Sequence, residues 1–184
     1  MASRSSMTRW FVPGRVLGQW TAGLCLAGML GAAAAPTAEV LQFHPERISK
    51  NMLGADTRGG QLVAREDVGH WRVILGNRTV LDGTPLGAVR MRLLTVATGR
   101  DADHVVVLVN TNGDCPVRFA VVAVDRFGHA VASPPFGSCA DLSGLNVDGD
   151  ALVFTMPGRS GTEAATGNLD FRYAAGVVKD PLPP

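Results

Sequence analysis

The chain has 184 residues, of which 46% are hydrophobic and 18% charged, with 17 basic against 16 acidic side chains and a formal charge of +1. Such a composition excludes disordered and collagen-like classes and supports one folded domain. So even a charge balance gives no support to nucleic acid or another polyanion as a partner.

Arg4, Arg9 and Arg15 precede an uncharged apolar stretch from Trp20 to Ala35, and no acidic residue occurs before Glu39. A basic start, a short apolar middle and the small-residue run from Gly31 to Ala38 form the layout of a secretory signal peptide. Residues 1–38 are therefore expected to be cleaved, with the cut near 35–38, leaving a periplasmic or secreted protein. A retained anchor is the competing reading, but sixteen residues rich in Ala and Gly fall short of the ~20 strongly apolar residues of a span. Lipid attachment at Cys25 fits less well, because Leu24 precedes it where a small residue is needed. From residue 36 onward 14 basic residues face 16 acidic ones, a net charge of −2, and no later uncharged run approaches spanning length. No stable membrane span is expected after cleavage.

Residues 39–180 read as a single β-rich domain. The segment 39–70 is the least patterned, with Glu39 to Phe43 suggesting a strand and Glu46 to Leu53 a turn or two of helix. From Trp71 onward short β-type runs alternate with turn residues. Trp71 to Leu75 and Arg78 to Leu81 flank Gly76-Asn77, a two-residue hairpin signal. Ala88 to Thr98 alternates, with Arg90, Arg92, Leu94 and Val96 expected on one face and Val89, Met91, Leu93 and Thr95 on the other. His104 to Val109 is apolar on both faces, which predicts a central strand buried on both sides. Val117 to Asp125 leads through Arg126-Phe127-Gly128-His129 into Ala130 to Ala132, and Ser133-Pro134-Pro135 then ends pairing because proline lacks the ladder N–H. Leu145 to Val147 and Ala151 to Met156 flank Asp148-Gly149-Asp150, another hairpin signal. Residues 158–168 are small and polar and predict a loop, Leu169 to Tyr173 with Val177-Val178 a last hairpin, and 181–184 a tail. The class is all-β, an antiparallel meander that forms a small barrel or a sandwich.

With Cys25 in the removed segment, Cys115 and Cys139 remain, an even number in an oxidising compartment. A structural disulfide is the simplest consequence. Free thiols or redox or metal chemistry are the alternatives, although neither C-x-x-C nor metal-ligand spacing is present.

His44, His70, His104 and His129 form no H-x-H or H-E-x-x-H pair, so no metal is expected. Asn110 to Asp114 and Asn146 to Asp150 carry oxygens, but their glycines are misplaced for an EF-hand and turn formation explains them. No cofactor motif is present. Arg90 and Arg92, joined by Arg72, Arg78 or Arg118 from neighbouring strands, suggest a basic strip able to meet a carboxylate or sulfate, or else a solvated face. Arg159 and Ser160 stand in the 158–168 loop as further binding candidates, since Gly158-Arg159-Ser160-Gly161 lacks the spacing of a nucleophile elbow.

Cys115-Pro116, then Pro135-Phe136-Gly137-Ser138-Cys139-Ala140-Asp141-Leu142 after Pro134, then Gly149-Asp150 and Met156-Pro157-Gly158, resemble an ordered pattern in small exported proteobacterial β-rich proteins of unknown function. The similar span is about residues 104–158. The resemblance implies an exported bacterial β-domain with its two cysteines bridged, and implies no activity or catalytic residue.

These observations favour an exported, non-enzymatic binding module whose partner is an envelope protein or polymer, with inhibition of a wall-degrading enzyme through the 158–168 loop as one form. The alternatives are an envelope hydrolase that brings His104 together with Asp125 or Asp103 only in three dimensions, and an accessory subunit of an envelope assembly.

Overall fold

The computed structural model describes residues 40–160 and 163–181, with side chains described outside 159–160 and 163–166. The expected signal peptide and the tail from 182 lie outside the described residues. In chain order the strands are β1 (Gln42–Phe43), β2 (Gly54–Thr57), β3 (Gly60–Asp67), β4 (His70–Leu75), β5 (Arg78–Asp82), β6 (Ala88–Thr98), β7 (Ala102–Thr111), β8 (Val117–Asp125), β9 (Ala130–Ala132), β10 (Gly144–Asp148), β11 (Ala151–Ser160), β12 (Glu163–Ala174) and β13 (Val177–Lys179). Short 3-10 turns occupy Pro45–Arg47 and Thr84–Leu86, so the helix suggested at Glu46 to Leu53 shrinks to one turn. No described helix is long and apolar enough to cross a membrane.

The strands form three antiparallel sheets, ordered β1-β6-β7-β8-β9, β2-β3-β4-β5 and β10-β11-β12-β13. Among the described residues none of them closes into a barrel, and the sandwich is the alternative realised, with three layers rather than two. Two apolar clusters show why. Ala55, Leu62, Ala64, Val73, Leu75 and Leu81 of β2 to β5 pack with Met91, Leu93, Val96, Val105, Val107, Val109, Ala120, Val122 and Val124. On the other side Val106, Leu108, Val117, Phe119 and Val121 pack with Leu152, Phe154, Met156, Phe171 and Tyr173. The β6-to-β8 sheet is therefore the middle layer, and the double-sided apolar pattern of β7 is the direct consequence of a flanking sheet on each face.

Four differences from the sequence reading have physical causes. Register shifts at Leu93/Thr95 in β6, so Val96 joins Met91 and Leu93 in one core rather than sharing a face with Arg90 and Arg92. A bulge inserts one residue and inverts the alternation after it. The β2–β3 hairpin was hidden because its inward positions are mostly Ala55, Leu62 and Ala64, with Gly, Asp and Thr between. The described residues of 158–168 are strand rather than loop: β11 runs to Ser160 and β12 starts at Glu163, paired Arg159↔Ala164 and Ser160↔Glu163 after a bulge at Gly158. Each strand supplies the other's backbone partners, so pairing persists where side-chain alternation has faded. Finally, pairing resumes beyond Pro134-Pro135, where Phe136 N–H and C=O bond Phe119. Ser133 bridges the gap, its buried hydroxyl accepting from Val121 N–H and donating to Pro134 O.

Candidate functional site

The expected disulfide is present, with Cys115 and Cys139 Cα atoms 4.5 Å apart. It ties the β7–β8 connection to the segment before β10. The proposed basic strip does not assemble. Arg90 and Arg92 pair with Asn110 and Leu108 on the face of the middle sheet turned toward β10–β13, Arg118 pairs with Val109 on the opposite face, and Arg72 pairs with Arg65 on the outer face of the β2–β5 sheet. Arg90 is exposed and Arg92 half-buried, its Nε buried without a hydrogen-bond partner among the described residues. Arg72 meets Asp67 at 3.5 Å. Arg159 and Ser160 lie on the continuing part of the β11–β12 hairpin, and their side chains are outside the described residues.

The histidine–carboxylate pairings differ as well. Asp103 and His104 are consecutive in β7 and point to opposite faces. His104 meets Tyr173, its Nδ1 3.4 Å from the phenolic oxygen and the rings edge-on at 5.6 Å. Burial pushes the His104 pKa down, against the pull of the Asp103 charge, and pushes Tyr173 up to about 12. Asp125 accepts from Phe127 N–H and His129 N–H and lies 2.8 Å from the His129 ring. The histidine–carboxylate contacts among the described residues are thus His44–Glu46 and His129–Asp125, both local to a turn and both exposed. No group of three or more His, Cys, Asp or Glu side chains is placed to hold a metal among the described residues.

The structure instead gathers four hairpin turns at one end of the sandwich: Arg58-Gly59 between β2 and β3, Gly76-Asn77 between β4 and β5, Gly99 to Asp101 between β6 and β7, and Arg126 to His129 between β8 and β9. Their convergence is built on Asp103, which is 0% exposed. It accepts from Arg47 Nη2 at 2.7 Å, from Arg58 N–H at 2.7 Å and from Arg58 Nε at 3.2 Å. Burial alone pushes this carboxyl up, but the hydrogen bonds from Arg47, Arg58 N–H and Thr98 outweigh it and hold the pKa below the aspartate value. Arg58 then donates to the carbonyls of Arg100 and Gly99 at 2.7 and 2.5 Å, locking the first turn onto the third. Gly59 meets the fourth. A Cβ there would stand 2.2 Å from Asp125 O and 3.0 Å from Gly128 Cα, so only glycine permits the approach. Arg78 Nη2 donates to Gly128 O at 3.0 Å, bringing in the second turn.

Two grooves flank the Gly59–Gly128 contact. One, of about 500 Å³, runs over Gly59, Gly60, Gln61, Val63, Arg65, Ile74 and Gly76. The other, of about 280 Å³, lies among Arg58, Arg100, Asp101, Asp125, Arg126 and Phe127. Phe127 is 71% exposed, with the Arg126 guanidinium 4.7 Å from its ring centre. Because Arg47 and Arg58 share one carboxylate, the latch itself retains an excess positive charge.

The sequence marked Asp125 only as a possible partner of His104, and Gly76 and Arg126 to Gly128 only as turns, and marked no residue as part of these grooves. The signal that marks them is an arginine set beside glycine in a turn, in Arg58-Gly59, Gly99-Arg100 and Arg126-Phe127-Gly128, but only the fold makes the three neighbours. No protein-family model matches the chain, and neither a curated protein nor a solved structure matches it significantly.

Proposed function

We propose that the chain is an exported, non-enzymatic binding module that holds an envelope partner at the four-turn end of its sandwich. The observation that carries this reading is the convergence of arginine-bearing turns and an exposed phenylalanine on two adjoining grooves. Turns carried by a rigid sheet scaffold are free to vary in side chain while their backbones stay in place, which is how β-sandwiches commonly build recognition sites. A disulfide is compatible with the oxidising compartment that export would supply. The accessory-subunit alternative calls for a broad apolar face. Among the described residues the large exposed apolar side chains are instead single positions on separate segments, Val40, Val68, Val89, Phe127, Val131 and Val177.

Amide hydrogen exchange on the disulfide-bonded protein, with and without fractionated envelope polymers and proteins, tests the reading. New protection at residues 58–60, 99–101 and 126–129 is the expected result. Protection confined to the β11–β12 hairpin, or to the face bearing Arg90 and Arg92, would overturn it.

A further inference from the structure

Resting on that reading, we propose that the partner is a carboxylate-bearing glycan, bound with an acid group toward Arg126 and a sugar ring against Phe127. Charge comes first. The smaller groove sets Arg58, Arg100 and Arg126 against Asp101 and Asp125, and the adjoining groove adds Arg65, so this end is locally positive on a chain whose residues from 36 onward carry −2. Arg126 is the group available to a ligand. Arg58 is held by Asp103 and two carbonyls, whereas Arg126 lies over an aromatic ring and has no carboxylate within ion-pair distance among the described residues. Its planar fork suits a carboxylate. The overall charge balance concealed this because the compensating acidic residues lie elsewhere.

Shape and polarity select among anions. At about 280 Å³ the smaller groove falls just below the range of about 300–1,000 Å³ that engulfs drug-sized ligands, which fits one unit of an extended chain. Phe127 is its one apolar side chain, giving a flat face for the C–H side of a pyranose but no pocket for an apolar peptide side chain. Strand addition is equally poorly served, since the nearby edge strand β9 has three residues. Asp125 is held in its charged form: burial raises its pKa, and the bonds from His129 and Phe127 more than reverse that. With Asp101 also lining the groove, its acidic side chains disfavour a dense polyphosphate and suit a polymer with spaced acid groups.

The test titrates the intact disulfide-bonded protein with tetragalacturonate, its methyl ester and tetraglutamate, read by backbone amide NMR. Tetragalacturonate should shift the turn resonances and bind several-fold tighter than the ester, with the advantage shrinking at high salt. Arg126→Gln should weaken it about fivefold, the size of one good exposed ion pair, and Phe127→Ala by a comparable factor. Arg90→Gln, outside the grooves, should leave it unchanged. Equal binding of acid and ester at the turns, or an indifferent Arg126→Gln, overturns the ligand class while leaving the turn end as a binding site. Preference for tetraglutamate does the same in favour of acidic peptide. If no glycan shifts the turn resonances, the proposal fails. If envelope fractions also fail to protect those turns, the binding reading fails with it.

Discussion

Asp103 is the residue on which the four-turn end should depend most. Replacing it with alanine removes the one carboxylate that Arg47 and Arg58 contact among the described residues and leaves Arg58 N–H without its acceptor. Breaking a buried pair by deleting one partner typically costs about 3–5 kcal/mol, because the remaining charge is stranded. Here the two arginine side chains are 25% and 26% exposed, so water recovers part of their solvation and the lower end, about 3 kcal/mol, is expected. Asp103→Asn keeps the shape and one acceptor and should lose less. Urea denaturation followed by Trp fluorescence measures both. With a slope of about 1–3 kcal/mol per molar, the alanine variant should show a midpoint lower by one molar or more at unchanged slope. The sign with pH is fixed as well: a carboxyl whose pKa is lowered by folding stabilises above its ordinary value of 3.8 and loses that contribution as pH falls below it. A loss under about 1 kcal/mol for Asp103→Ala would refute the reasoning, since the triad would then be no better than a surface pair.

Three further outcomes follow from single features. His104 is held neutral by burial, so it contributes stability above its ordinary value of 6.5 that is lost as pH falls below that value; the fall in melting temperature between neutral and mildly acidic pH should be smaller in His104→Phe. Reducing the Cys115–Cys139 bond, which spans 24 positions, should cost about 3.5 kcal/mol on the loop-entropy model, seen as a lower thermal midpoint in reductant. Val68 is 91% exposed with φ of +50° at the first position of the Val68-Gly69 turn, a conformation that β-branched residues resist; Val68→Asn should raise stability by about 1 kcal/mol in urea melts.

How much of this was legible depended on whether a residue's environment is local. The hairpins β4–β5, β10–β11 and β12–β13 and the doubly buried β7 could be read because turn chemistry and alternation lie within ten residues of one another. The β2–β3 hairpin could not, since two of its inward positions are the alanines Ala55 and Ala64, too small to raise the pattern above its Gly and Asp neighbours. Arg90 and Arg92 do share a face. The bulge at Leu94 takes Val96 off that face, the layering of three sheets puts Arg72 and Arg118 on other faces, and neither effect has a sequence signature. The turn-end arginines were unreadable for a related reason: Arg58, Arg100 and Arg126 are more than 20 residues apart and become neighbours only through Asp103 and the glycine contact.

That dependence separates scaffold from surface. Arg58 reaches the third turn through its own side chain and touches the fourth through the backbone beside it, so loosening Asp103 must loosen the groove walls. Arg126, by contrast, contacts Phe127 and extends from an Asp125-centred turn held by its own backbone N–H bonds. Substitution at Asp103 should therefore lower stability and ligand affinity together, while Arg126→Gln lowers affinity at unchanged melting temperature. An Asp103→Asn protein that binds as tightly as wild type despite a lowered midpoint would mean that the turns hold their places without the buried carboxylate, and that the Gly59 backbone contact alone sets the geometry of this end.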